Sequence, residues 1–281
     1  MIMRCWKYSC GNRFIATIYA EVSYSAVLQQ LSRHRSFSLS VGSSRAMELS
    51  RPFVPDWRGD RGSMFRQGEL PGWKKALANI VWAGADYGSR LAYRIFRMIG
   101  VHLQHAQLVR KPFVMVPVYI TGADFAWRHF LQLRLASDAQ SDIRNFANDV
   151  RLILETTKSV EVDANLFVGP YLEEPVPIGI ASQLQHAPTS LSLSANGPSP
   201  VDPELKRLCM AIAKVGRITT GRHGADMDEC SAISWVRRAY NMRHASVFEH
   251  HYAIDTSRSR CNPLRIGFSV RDFILPGYGL S

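Results

Sequence analysis

A chain of 281 residues, 46% of them apolar, is long enough to bury a core and has a globular composition, which excludes an intrinsically disordered protein. The net charge of +11 favours anionic partners and does not choose between nucleotides and nucleic acid. No apolar run is long enough to cross a membrane and no signal peptide is recognisable, so we expect a cytoplasmic protein. The five cysteines are scattered and lack zinc-like spacing, which predicts neither a disulfide framework nor a metal site.

Strands and helices are both predicted along the chain. Apolar residues at three- and four-residue steps in the longest helix predict a face that is buried in the core, with Gly100 ending the helix. Pro117 predicts that its strand lies at a sheet edge or carries a bulge. The predicted strands are Arg13–Val22, Val114–Ile120 and Val160–Val168; the helices are Ser25–Leu31, Trp73–Gly100, His102–Arg110, Asp124–Leu135, Ser141–Thr157, Glu204–Val215 and Met227–Met242; Ser50–Pro71 is a loop.

A charge-poor stretch rich in Pro, Ser and Gly divides the chain. This composition predicts that residues 171–203 form a linker or mobile loop. We therefore expect a larger core unit over residues 1–170 and a C-terminal part, residues 204–281, that completes the core.

The stretch from Arg33 to Arg45 carries three arginines, one histidine and five serines around Gly42. It follows a predicted helix and should be a polar loop, in which an extended backbone would point Arg33 and Arg35 the same way. Guanidinium groups and hydroxyls suit phosphate oxygens because their hydrogen bonds can be bidentate and charge-assisted. The residue types alone leave two readings open, which are an anion site and a solvated basic loop.

The spacing of Arg33-His34-Arg35, then Ser43, then Arg45 resembles the signature of flavin-dependent thymidylate synthases. Gln30, three residues before Arg33, also fits that family. The similarity is greatest to a divergent branch common in bacteriophages, at His34, Arg35, Phe37, Ser38, Ser43, Ser44, Arg45 and Ala46.

Two further stretches resemble motifs of the same family. Phe130–Arg144 (FLQLRLASDAQSDIR) matches a motif whose arginine, here Arg134, binds and activates the base; taken alone, Arg134 would equally suit an ion pair with Asp138. Arg243–His251 (RHASVFEHH) resembles a third motif, which precedes the arginine signature in typical members and follows it here, as in the phage-like branch. This position implies a permuted motif order. The third motif matches at His244, Ser246, Phe248, Glu249 and His250.

The resemblance implies an α+β fold, with a mixed or antiparallel sheet flanked by long helices, and a methyltransferase that converts dUMP to dTMP. Methylenetetrahydrofolate would supply the carbon, and FAD reduced by NADPH would supply the hydride, so no protein nucleophile is required. Family members are tetramers whose sites combine subunits, which implies a homotetramer. By motif, Arg33, His34, Arg35 and His250 would contact FAD; Gln30, Ser43, Ser44 and Arg45 would hold the phosphate and sugar of dUMP; and Arg134 would activate the base.

Departures from the family pattern keep two other functions open. Changed residues near the base favour modification of another pyrimidine nucleotide for phage DNA, in the host cytoplasm if the chain is phage-encoded. A non-catalytic nucleic-acid-binding relative is supported only by the net charge, because no nucleic-acid motif is present. The departures are Ser40 and Val41 in place of Asn and Glu, His129 in place of Asn, and Leu108 in place of an Arg for which Arg110 is a candidate substitute.

Overall fold

A five-stranded mixed sheet with helices on one face forms the centre of the computed structural model. The structure describes residues 3–48, 50–59, 68–164, 166–180, 183, 202–221, 227–241, 248–254 and 267–270. Its strands are β1 (Met3–Cys10), β2 (Arg13–Ser23), β3 (Ser38–Val41), β4 (Arg58–Gly59), β5 (Gly68–Glu69), β6 (Met115–Ala123), β7 (Val160–Glu161), β8 (Leu166–Val168), β9 (Val176–Pro177), β10 (Tyr252–Ile254) and β11 (Gly267–Ser269). Its helices are α1 (Gln29–Leu31), α2 (Ser44–Glu48), α3 (Gly72–Met98), α4 (Leu103–Ala106), α5 (Asp124–Arg134), α6 (Ser141–Thr156), α7 (Pro203–Thr219) and α8 (Glu229–Asn241).

The main sheet has the strand order β3-β6-β2-β1-β7. A two-residue turn that begins at Gly11, with φ +57°, joins β1 and β2 as a hairpin. Strand β6 pairs antiparallel with β2 and β3, and only β7 runs parallel to its neighbour β1. The predicted α+β class with a mixed sheet is confirmed, whereas the permuted order of motifs stays a prediction.

The two faces of the main sheet are covered differently. Successive residues of a strand point to opposite faces, and in β2 Ala16 and Ile18 belong to the core that also contains Trp127 and Phe130 of α5. Helices α5 and α6 therefore cover this face, which we call the helix face. Thr17 points to the other face.

A second sheet, with the order β11-β10-β8-β9, lies on the side away from α5 and α6. Val168 of β8 and Tyr252 of β10 pack with Ile15 of β2. This sheet shares a second core with α7 and α8, which includes Phe167, Leu208, Ile212, Val236 and Phe248. The predicted division of the chain at residues 171–203 stays a prediction, and residues 184–201 lie outside the described part.

The prediction that Pro117 marks a sheet edge or a bulge is wrong, because β6 lies between β2 and β3 and pairs with β2 without interruption from Met115 to Ala123. The carbonyl of Pro117 accepts a hydrogen bond from Gly42 N–H at 2.8 Å. The N–H and C=O of one residue in an antiparallel strand point to the same neighbour. The missing N–H of the proline therefore falls just beyond Val41, where the pairing with β3 ends.

The long helix α3 was predicted correctly, but its apolar side does not lie in the core as predicted. Gly100 follows it with φ +83°, as a C-terminal stop requires. The side that faces the chain carries Trp82, Asp86 and Ser89. The residues predicted to be buried are 43% to 80% exposed and form what we call the α3 apolar face: Leu77, Ile80, Val81, Tyr87, Leu91, Ile95 and Met98.

Three local predictions need correction. The polar stretch is not one loop, because it contains β3 and the start of α2, and Arg33 lies in a hydrogen-bonded turn rather than in extended backbone. The strand predicted over Val160–Val168 is two short strands in different sheets. The helix predicted over His102–Arg110 is α-helical only over Leu103–Ala106. In the described part of the chain, no helix has the length and apolar character needed to cross a bilayer.

Candidate active site

His34 and Arg134 come from two motifs that are 100 residues apart, and they form a direct hydrogen bond. Arg134 ends α5, and His34 lies in the turn that follows α1. The Arg134 Nε–H donates to His34 Nε2 at 3.1 Å. Among the described residues Arg134 forms no ion pair. The alternative prediction, an ion pair between Arg134 and Asp138, is therefore wrong.

The ring of His34 is held among aromatic side chains. Its centre lies 5.2 Å from that of Phe130, 6.0 Å from that of Phe37 and 6.4 Å from that of His129. The pKa of His34 is lowered to about 4, mainly by burial and to a smaller extent by the charge of Arg134 and by His129. His34 is therefore neutral at pH 7. An arginine can only donate, so His34 accepts at Nε2 and carries its proton on Nδ1.

Positive charge is concentrated around this pair. The pKa of Arg134 is lowered mainly by burial and to a smaller extent by the neighbouring charge of Arg33. The guanidinium nevertheless stays protonated at neutral pH. Arg33 and Arg35 are exposed, and neither forms an ion pair with another residue that the structure describes. Guanidinium groups without carboxylate partners leave their donors available to an anionic ligand.

Hydrogen bonds tie the arginine signature to the second motif. The side-chain amide of Gln30 donates to the side-chain oxygen of Gln140, which precedes α6. Two residues further on, Asp142 accepts a hydrogen bond from the backbone N–H of Asp56 at 3.3 Å. Burial raises the pKa of this carboxyl group. The first contact fixes where α1 lies relative to α6, and the second fixes where the segment that contains Asp56 lies relative to the same helix.

Ser43, Ser44 and Arg45 lie beyond the other end of β3 from His34. A four-residue strand is about 13 Å long, so the signature supplies two separated groups of side chains. The backbone N–H of Ser43 donates to the carbonyl of Thr219, at the end of α7, at 2.7 Å. Arg45 is exposed and, within the described residues, has no ion pair. The group is therefore anchored by its backbone and presents its cation outward.

His250 lies on the opposite face of the main sheet from Arg134. Its Nδ1 is hydrogen-bonded to Thr121 Oγ1 at 2.8 Å, and Thr121 Oγ1 lies 2.8 Å from Thr17 Oγ1. Thr121 points away from the helix face, since its neighbour Ile120 belongs to the core beneath α5. His250 is completely buried, and its Nε2 has no hydrogen-bond partner among the residues that the structure describes. Burial and, to a smaller extent, the neighbouring His251 lower the pKa of His250 to about 3.

The structure thus brings together Gln30, Arg33, His34, Arg35 and Arg134, and it does not bring His250 to them within one chain. Of the residues that depart from the family pattern, His129 lies beside His34, and Leu108 is 53% exposed. Arg110, the candidate substitute, is buried with its guanidinium carbon 5.6 Å from the centre of the Tyr93 ring. His244 and Ser246 of the third motif lie outside the described residues, as does the C-terminal tail from 271.

Sequence reasoning missed the side chains that hold these groups in place. Phe37 and Phe130 form the aromatic surroundings of His34, and both belong to the matched motifs, which was the available signal. Thr17 and Thr121 hold His250, and nothing in the sequence of β2 or β6 marks them. In the described part of the chain, no group of three or more His, Cys, Asp or Glu side chains could hold a metal ion.

The family model described as "Thymidylate synthase complementing protein" matches residues 1–157, which is more than half of the chain, and the protein belongs to this family. No curated protein matches the sequence. Two solved structures of a UMP/dUMP methylase, PolB from Streptomyces cacaoi, are similar over 50% of this chain at 21% identity, one with bound 5-Br dUMP (TM-score 0.42) and one with bound 5-Br UMP (TM-score 0.44). This chain covers 65% and 68% of those two chains.

Proposed function

We propose that this protein is a flavin-dependent thymidylate synthase that methylates dUMP to dTMP with methylenetetrahydrofolate, FAD and NADPH. The observation that carries the proposal is the hydrogen bond between Arg134 and His34, because it joins two family motifs at a cluster of cations that lack carboxylate partners among the described residues. The family match over residues 1–157 includes both motifs.

In the proposed site Arg134 acts on the pyrimidine. A guanidinium aimed at a base carbonyl stabilises the negative charge that develops when the ring is activated for attack. His34 is a positioning residue, because its neutral Nε2 accepts the Arg134 Nε–H and so orients the guanidinium. The two terminal nitrogens of Arg134 are left to donate to a carbonyl oxygen of the base.

The residues present fit two anionic ligands. Arg33, His34 and Arg35 would contact FAD, and bound flavin would supply the hydride. Arg33 and Arg35 are exposed, as contacts to the FAD pyrophosphate require. Ser43, Ser44 and Arg45 would hold the dUMP phosphate and sugar, with Gln30 near the base. The buried position of His250 does not fit direct contact with flavin within one chain. Its proposed cofactor role requires a rearrangement within the chain that exposes its Nε2, because association into a homotetramer alone cannot expose a side chain that its own chain buries.

Absorbance spectroscopy of the purified protein tests this proposal. Retained flavin that is reduced by NADPH and reoxidised when dUMP and methylenetetrahydrofolate are added, with dTMP identified by mass spectrometry, is the expected result. Arg134→Ala should abolish dTMP formation while flavin stays bound. The matched control is Arg128→Ala, an exposed arginine on the same helix that pairs with Asp124. Loss of flavin in Arg134→Ala would reassign this arginine to the cofactor.

A second candidate, modification of another pyrimidine nucleotide, is favoured by one contact. His129 stands where the family has asparagine, and its ring centre lies 6.4 Å from that of His34. Product analysis with dUMP and dCMP in parallel separates the two: turnover of dCMP alone would favour the second candidate. A colourless protein that binds DNA in a salt-dependent manner would instead favour the nucleic-acid-binding relative.

A further inference from the structure

Four aromatic side chains lie together on the face of the main sheet opposite α5 and α6. Tyr19 of β2 is the cross-strand partner of Tyr119 of β6, and their ring centres are 5.0 Å apart. The residues next to them along the strands belong to the core beneath the helices, so both rings point to the opposite face. The ring of Trp6, in β1, has its centre 6.3 Å from that of Tyr119 and 5.0 Å from that of Tyr171, which follows β8. We call these four rings the aromatic surface.

The backbone of Tyr171 has an unusual conformation. Its φ of +62° lies in the left-handed region, and no other residue except glycine has a positive φ in the described part of the chain. This conformation is unfavourable for a residue with a Cβ and persists only where the surroundings hold it. The Tyr171 hydroxyl is hydrogen-bonded to the Tyr119 hydroxyl at 3.0 Å, and its ring packs edge-on against Trp6. These two contacts fix the position of the Tyr171 ring.

Two cations border the aromatic surface without carboxylate partners. Arg4 of β1 is paired across the strands with a tyrosine of the surface, and Lys214 Nζ of α7 lies 4.7 Å from the centre of the Tyr171 ring. Both cations are exposed, and neither forms an ion pair with any residue that the structure describes. Glu21 lies on the same face, but its carboxylate is paired with Arg51 at 3.7 Å. The surroundings of the aromatic surface are therefore positively charged.

The aromatic surface is open to solvent on the side of β1. The second sheet packs on another part of this face. Within the described residues, the part of β1 before Tyr8 has β2 as its only neighbouring strand. Tyr119 is completely buried, whereas Trp6 and Tyr19 each keep part of the side chain exposed. Two rings therefore remain available to an external ligand.

The combination of rings and cations determines the kind of ligand. Aromatic rings can also bind a quaternary ammonium group, but the two unpaired cations would repel it. A planar base stacks on an aromatic ring, and arginine and lysine attract its phosphate. One base on an open ring is held weakly, whereas a strand brings several bases and phosphates to the same surface at once. In a duplex the bases stack on one another and cannot reach the rings, which favours a single strand.

We propose that the aromatic surface binds single-stranded nucleic acid. Bases stack on Trp6 and Tyr19, phosphates bind to Arg4 and Lys214, and Tyr171 supports Trp6 within the sheet face. The net charge of +11 adds a general attraction for the strand. This inference does not rest on the proposed thymidylate synthase activity, because no residue of the candidate active site belongs to the aromatic surface.

Fluorescence anisotropy of a labelled oligothymidylate of about 20 nucleotides tests the stacking contacts in the full chain. Trp6→Ala and Tyr19→Ala should each weaken binding roughly 5- to 150-fold, as the loss of one stacked base implies. Trp73→Ala, which removes a 68% exposed tryptophan of α3, is the matched control and should leave the affinity unchanged. Trp6→Phe keeps a ring and should keep most of the affinity. Circular dichroism checks that each variant is folded, and Tyr19→Ala provides the test if Trp6→Ala is not.

Salt dependence and a duplex separate these contacts from the general attraction of a basic protein for polyanions. Arg4→Gln should reduce the slope of log affinity against log salt by about 0.7, the share of one phosphate. Arg94→Gln, at an exposed arginine of α3, should leave that slope unchanged. Binding of a DNA duplex should not respond to Trp6→Ala, because its bases cannot reach the ring.

Three results would overturn the proposal. The first is a wild-type protein that does not bind the oligonucleotide. The second is an affinity that neither Trp6→Ala nor Tyr19→Ala lowers, or that Trp6→Ala lowers equally for the duplex. The third is an affinity lost in Arg33→Gln alone, since binding would then belong to the candidate active site. Flavin content and dTMP formation, measured on the same variants, report separately on the proposed enzymatic function.

Discussion

Acidification should unfold this protein because of two adjacent histidines, His250 and His251. Both are completely buried. Burial and, to a smaller extent, the neighbouring His251 lower the pKa of His250 to about 3. Burial lowers the pKa of His251 to about 4. In the unfolded chain both would titrate near 6.5. Between these values the unfolded state binds protons that the native state does not, so stability is full above pH 6.5 and falls as the pH is lowered.

The size of the effect follows from the linkage relation. Each titrating group changes the free energy of unfolding by about 1.36 kcal/mol per pH unit. Two histidines that stay neutral in the native state would together remove about 5 kcal/mol between pH 6.5 and pH 4.5. This loss matches the lower end of the stability of a typical domain, which is about 5–15 kcal/mol. His34 shifts in the same direction, but it is half-buried and solvent screening reduces its share.

Urea unfolding followed by circular dichroism at pH values from 7.5 to about 4.5 measures this slope. We expect a slope that corresponds to two protons in the wild type and to about one proton in His250→Asn. His105→Asn, at an exposed histidine of α4, should leave the slope unchanged. A free energy of unfolding that stays flat between pH 7 and pH 5, or an unaltered slope in His250→Asn, would refute the reasoning. The comparison of slopes holds even if His250→Asn is less stable at neutral pH.

Two further substitutions test the local geometry. His34→Phe keeps a ring of similar size but removes the acceptor for Arg134, so we expect dTMP formation to fall by about 10²-fold through kcat; an unchanged kcat would remove His34 from its positioning role. Gly42→Ala would place a Cβ 2.7 Å from a ring carbon of Pro117, and we expect it to cost about 1–3 kcal/mol in urea unfolding. Gly72→Ala, where an added Cβ meets nothing within 4 Å, is its control.

The spacing of apolar residues was sufficient to predict the helices but not what their faces contact. For α3 the period predicted the helix from 73 to 100, close to the observed Gly72–Met98. The same period placed its apolar side in the core, because a sequence pattern shows only that a face is apolar. Whether that face packs against its own chain or against another molecule depends on tertiary contacts that the period does not contain.

Pro117 shows a second limit of the sequence. The rule that proline avoids central strands rests on its missing N–H. It fails here because β3 is only four residues long, so the missing N–H of a central strand falls beyond the end of its neighbour. The length of a neighbouring strand is fixed by residues about 75 positions earlier in the sequence, and nothing near Pro117 reports it.

The sequence motifs predicted correctly that His34 and Arg134 lie together. They did not predict that the main sheet separates His250 from these two residues. Arg134 and His34 meet because α5 packs on the same face that the turn after α1 reaches. His250 reaches Thr121 from the other face, and adjacent strand residues such as Ile120 and Thr121 cannot point to the same side. A single sheet therefore separates the two histidines of the motifs. If both contact one flavin, they must come from different copies of the chain, and His250, which is completely buried within its own chain, must also become exposed.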